Sequence, residues 1–99
     1  MADVPAAIAA AAAEREALLA QLRGLLIERL HLQREPDELD PDAPLFGSGF
    51  GLDSLDAVEL VVALEGELGV RVADGQGLRQ AFRSLNTMLD LVLAHRRAA

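Results

Sequence analysis

Residues 47–68 read GSGFGLDSLDAVELVVALEGEL, and the stretch changes character at Asp53. Up to that point three glycines and Phe50 interrupt any regular pattern. From Ser54 to Leu68 there is no proline, apolar residues recur at helical spacing, and Gly69 stands where a helix would stop. Stepped round at about 100° per residue, Leu60, Ala57, Leu64, Leu68 and Val61 share one stripe, the pattern of a helix buried along a single face. The other side is unusual. Glu65, Val58, Val62, Leu55, Glu59, Asp56 and Glu67 share it, with no basic residue among them. A solvated face normally mixes both signs of charge, whereas acids interleaved with aliphatics suit docking against a basic, partly apolar groove. The spacing therefore predicts an acidic docking face without cationic partners, with plain solvation as the alternative.

Upstream, EREALLAQLRGLLIERLHL from Glu14 to Leu32 sets Leu18, Leu22, Leu25, Leu26 and Leu30 on one face of a first helix. Residues 6–13 are almost all Ala, with high helix propensity but little apolar surface, so they are expected as a frayed extension of that helix. Residues 33–53 hold three prolines and three glycines and read as a long connection, pinned to the core by Leu45, Phe46 and Phe50. Downstream, a short third helix is expected around Leu78–Phe82. Ser84 is placed to cap a last helix with Leu85, Met88, Leu89, Val92 and Leu91 inward. Nothing reads as a strand. The expected fold is all-α, a small bundle of three main helices plus one short one. Residues 1–13 are an Ala-rich extension and residues 14–97 the domain.

Composition narrows the function. Ninety-nine residues make one small domain, and the absence of cysteine removes disulfides, thiol catalysis and cysteine-rich zinc sites. His31 and His95 are too isolated to form a metal site, and each is expected near a helix end. Net charge is −7 and every basic residue is Arg. Residues 1–34 carry four acids and four Arg, residues 35–70 ten acids and no base, and residues 71–99 two acids and five Arg. Such an acidic middle repels nucleic acid and anionic lipid and attracts basic protein surfaces. The apolar run near the N-terminus is short, Ala-rich and ends in charges, so neither a secretory signal nor a membrane span is expected. A cytoplasmic monomer is the expectation.

Ser54 has several possible readings. Asp53 can cap the helix with Asp56 three positions on, in which case Ser54 is simply the first helical residue. A nucleophile elbow is not supported, because GLDSLD lacks the second glycine after Ser and no strand precedes it. Leu52 stands where a dinucleotide fingerprint needs its third glycine, and a P-loop needs a Lys that the chain does not contain. Modification remains: a phosphodiester at this position would lie at the positive end of the helix dipole, beside backbone N–H groups without intrahelical partners.

GLDSLDAVELVVALEGELGVRV, residues 51–72, resembles the modification-site segment of discrete, bacterial-type acyl carrier proteins, through the Asp-Ser-Leu signature and the Asp-x-Val-Glu-Leu run after it. The resemblance implies that Ser54, preceded by Asp53, receives phosphopantetheine from coenzyme A through a phosphopantetheinyl transferase, and that the arm carries acyl cargo as thioesters. It implies docking of acyl-loading and ketosynthase-type enzymes on Asp53, Leu55, Asp56, Glu59, Val62 and Glu65. It also implies an acyl-chain pocket between the second and third helices, lined by Val58, Val61, Leu64, Val72, Leu78 and Phe82. No metal is implied, and the chain is expected to be a substrate of its partners, not an enzyme. Departures bear on the pathway: Gly66 replaces a common acid, and Arg79 and Arg83 stand where fatty-acid carriers are usually acidic. These favour a specialised, polyketide-like pathway over housekeeping fatty-acid synthesis, while GLDS argues against the peptidyl branch. The rival reading is an unmodified helical adaptor using the same acidic face.

Overall fold

A computed structural model describes residues 5–46, 49–72 and 80–98. Its longest element, α1, runs from Ala6 to Leu30. Leu18, Leu22, Leu25 and Leu26 are its buried stripe, and Leu30, the fifth leucine expected on that face, is half-buried. The helix runs through the expected N-terminal extension without a break. Pro5 occupies the N-cap, and its carbonyl accepts the N–H groups of Ile8 and Ala9. Residues 6–13 are thus a regular part of α1, exposed throughout, as an extension with little apolar surface should be. Alanine supplies the reason, since it loses no side-chain entropy in a helix. One turn further on, Arg15 fastens α1 to the last helix through Asp90 at 2.9 Å and the side chain of Asn86. At the other end His31 takes a left-handed conformation and returns its N–H to the Ile27 carbonyl.

The long connection is pinned, but by more residues than the sequence suggests. Pro36–Glu38 form a single 3-10 turn, with the Glu38 carboxylate accepting the Glu35 N–H. Leu39 and Leu45 are fully buried, whereas Phe46 and Phe50 are half-buried against the core. The Leu39 carbonyl accepts from Arg23 of α1, and the Leu45 N–H donates to the Arg83 carbonyl. Arg34 lies over the Phe50 ring, 5.7 Å from its centroid, in a cation–π contact. No strand occurs among the described residues; one isolated bridge pairs Phe46 with Leu52.

The second helix, α2, covers Ser54–Glu67 and ends at Gly69, where Leu68 and Val70 both donate to the Leu64 carbonyl. The third, α3, covers Leu85–Ala98. Ser84 caps it as expected: its Oγ accepts the Thr87 N–H, and Thr87 Oγ1 accepts the Ser84 N–H. The expected short helix falls largely outside the described residues, where only Gln80 and Ala81 are helical. Three α-helices therefore stand among the described residues, and α1 is the spine on which both α2 and α3 pack. Leu60, Ala63 and Leu64 of α2 and Leu85, Met88, Leu89, Val92 and Leu93 of α3 belong to one buried cluster with the α1 leucines, Val70 and Phe82.

Candidate functional site

The site is the junction between the glycine-rich loop and α2. Gly49 is needed because a Cβ built on it would overlap the Pro44 carbonyl oxygen, the same oxygen that accepts the Phe50 N–H at 3.0 Å. Gly51 takes φ 73°, a conformation that a side chain disfavours. Leu52 then turns inward to the core while its N–H reaches the Leu45 carbonyl, and the chain emerges at Asp53. We expect Gly49→Ala to force this loop open, with the Phe50 hydrogen bond lost and stability reduced by about 1–3 kcal/mol. A urea titration measures it, and an unchanged midpoint would contradict the close approach.

Asp53 is the N-cap of α2. Its Oδ1 accepts the Asp56 N–H at 3.0 Å, and Asp56 Oδ2 accepts the Asp53 N–H at 3.0 Å. The capping box is therefore complete without Ser54. Ser54 itself is the first residue of the helix, exposed, and its hydroxyl makes no hydrogen bond among the described residues. Among the described residues no base is hydrogen-bonded to it, as an activated serine nucleophile would need. It is an accessible hydroxyl beside the positive end of a helix dipole, a position that favours a bound phosphate.

Beyond Ser54 the outer face of α2 exposes Leu55 by 78%, Val58 by 61% and Val62 by 54%, the aliphatic strip of the expected docking face. Glu65 is exposed at one edge, with its Oε2 3.5 Å from the Val72 N–H. Asp56 and Glu59 are half-buried at the other. The acids are not all without partners, and this corrects the expectation. Arg29 crosses from α1 and hydrogen-bonds Glu67 at 2.7 Å, with a second nitrogen 3.7 Å from Glu59. That hydrogen bond and the Glu67 charge, with smaller help from Glu59 and Glu28, raise the Arg29 pKa above its ordinary value. A wheel built from one helix carries no information about the helix beside it, so only the packing of α1 on α2 reveals the pair. The same packing buries Ala63, which the wheel puts on the outer side.

Among the described residues Arg29 is the one cation paired with any of the ten acids of residues 35–70, and it reaches only Glu59 and Glu67. The remainder repel one another, so modest salt is expected to raise the melting temperature by screening. A melting temperature that stays flat or falls between low and moderate salt would contradict this.

The residues expected to hold an acyl chain are in mixed surroundings. Leu64 and Phe82 are buried, Val61 and Val72 half-buried, and Val58 is on the surface; Leu78 lies outside the described residues. No helix among the described residues is long and apolar enough to cross a membrane.

Three helices presenting one unemployed serine at the head of an acidic, aliphatic-studded helix make a small carrier module. Comparison with known proteins agrees. Residues 20–92 match the family described as the phosphopantetheine attachment site. Over 81 residues the chain is 36% identical to an acyl carrier protein of Saccharopolyspora erythraea, covering 80% of this chain and 82% of that protein. It is 29% identical over 75 residues to an acyl carrier protein of Thermosynechococcus vestitus, covering 76% of this chain and 86% of the other. It is also 36% identical over 64 residues to the mitochondrial acyl carrier protein 2 of Arabidopsis thaliana, of whose length the chain spans about half, 48%. The chain belongs to the acyl carrier protein family, whose members bear phosphopantetheine and are carriers without catalytic activity of their own.

Proposed function

We propose that Ser54 bears the phosphopantetheine arm and that the chain presents acyl thioesters to the enzymes of a biosynthetic pathway. The observation that carries this reading is the division of labour at the head of α2. Asp53 and Asp56 satisfy each other and start the helix, which leaves the Ser54 hydroxyl exposed and without a structural task. In the modification the Ser54 O–H bond breaks, its proton passing to a base of the transferase or to water, and its oxygen bonds to phosphorus, while the P–O bond inside the coenzyme A diphosphate breaks and its electron pair leaves with the adenosine-bearing phosphate. When bound, the arm supplies a thiol that holds the acyl group as a thioester. Asp53, Leu55, Asp56, Val62 and Glu65 are the surface offered to a transferase and to acyl-loading and ketosynthase-type enzymes, with Glu59, which also faces Arg29, at its rim. Leu55 and Val62 contribute apolar contact and the acids attract basic partners. Val61, Leu64, Val72 and Phe82 would shelter the cargo, with Val58 at its outer edge. Gly66 and the exposed Arg83 favour a specialised, polyketide-like pathway, because both make this chain less acidic where fatty-acid carriers are acidic.

Incubation with coenzyme A and a broad-specificity phosphopantetheinyl transferase, followed by intact-mass measurement, tests the reading. The mass should rise by a single phosphopantetheine. A chain that gains no mass is not a carrier of this kind, and the acidic face would then belong to an unmodified adaptor.

A further inference from the structure

The arginines of α1 are used in different ways. Arg15 and Arg23 tie α1 to α3 and to the long connection, in each case partly through a backbone carbonyl. Arg29 instead spends its charge on the docking helix, where Glu67 and Glu59 are its two carboxylate partners. Its Nε–H is buried without a hydrogen-bond partner among the described residues, so the two carboxylates account for the polar contacts that hold the side chain in place. The consequence for α2 is an asymmetry that its sequence does not show. Glu59 and Glu67 are compensated by the same cation and Gly66 adds no side chain beside them. Asp53, Asp56 and Glu65 have no cationic partner among the described residues.

We infer that Arg29 is a specificity-determining residue that withholds Glu59 and Glu67 from partners and confines the attractive charge of the docking face to Asp53, Asp56 and Glu65. The inference rests on the carrier reading of Ser54. The partner it fits is a protein surface with cations placed opposite the Ser54 end of α2 and the Glu65 edge, and an apolar patch over Leu55, Val58 and Val62. A partner cation aimed at Glu59 meets a carboxylate that already has a counter-charge, and must compete with Arg29 for it. The 3.7 Å contact to Glu59 is the looser of the two, so Glu59 is the carboxylate that a strongly basic partner could take.

The test is a double-mutant cycle read as kcat/KM for phosphopantetheinylation by a transferase with a basic docking surface, at low ionic strength, with thermal melts alongside. Arg29→Gln should raise kcat/KM about three- to tenfold and steepen its fall with salt, because it uncovers negative charge that steers a basic enzyme. Arg29→Lys should restore the original rate and salt dependence. Glu59→Gln should slow the native chain less than Glu65→Gln does, and should cost several-fold more in the Arg29→Gln background. Equal losses from Glu59→Gln in the two backgrounds, or no gain from Arg29→Gln in a chain that still melts cooperatively, would overturn the inference. Should Arg29→Gln not fold, the contrast between Glu59→Gln and Glu65→Gln decides alone, and equal losses overturn it. A native chain that is not modified at all would overturn the carrier reading and this inference with it, an outcome distinct from a modified chain whose cycle is additive.

Discussion

Ser54→Ala is expected to abolish the mass gain completely while leaving the fold intact. The two halves of that result follow from separate features. In the proposed reading the hydroxyl accepts the arm, and no other residue at the head of α2 offers one. The helix start, by contrast, is held by the reciprocal hydrogen bonds of Asp53 and Asp56, which the substitution does not touch. Stability should therefore change by no more than about 0.5 kcal/mol, as for most exposed positions. Asp53→Ala, which removes the cap itself, should cost about 1 kcal/mol. Intact mass and a thermal melt on the same sample read both halves. A Ser54→Ala chain that still takes up the arm would place the attachment elsewhere, and one that fails to fold would give the serine the structural task that the capping box makes unnecessary.

Leu64→Ala should have the largest effect on stability. Leu64 is fully buried at the centre of the α2 stripe, inside the one core that α1, α2 and α3 share. Truncation leaves a cavity that this core can close only by moving helices, a loss of about 2–5 kcal/mol. Small domains have only about 5–15 kcal/mol in total, so the variant should be partly unfolded near physiological temperature. Its carbonyl, which accepts from both Leu68 and Val70 at the end of α2, is unchanged by the substitution, so the loss is one of packing and not of helix termination. Leu64→Met, which nearly conserves volume, should cost less than about 1.5 kcal/mol. Urea denaturation measures both. A loss below about 1 kcal/mol for Leu64→Ala would mean that the α2 stripe does not face the core.

The leucine spacing of α1, the apolar stripe of α2 and the Ser84 cap of α3 were all legible because each is a local pattern. Spacing along one helix decides which face is apolar, and a cap is made by residues a few positions apart. The connection was less legible. Of the expected anchors Leu45, Phe46 and Phe50 only Leu45 is fully buried, and Leu39 and Leu52 are single apolar residues in irregular backbone, where no period distinguishes an inward side chain from an outward one. Gly49 shows the same limit from the other side. The sequence presents a glycine, and only the closed loop shows that the Pro44 carbonyl occupies the place a side chain would need.

At the candidate site the division is sharper. By itself the sequence determined the start of α2, the position of Ser54 at its head and the acidic, aliphatic character of its outer face, since all of these depend on neighbours within a turn or two. The tertiary structure decided which acids have a cationic neighbour. Arg29 is 30 residues from Glu59 and 38 from Glu67 in the chain, and it meets them because α1 packs along α2. An ion pair between helices is fixed by their relative placement, and that placement comes from burying two leucine stripes together, whose balance depends on the whole core at once.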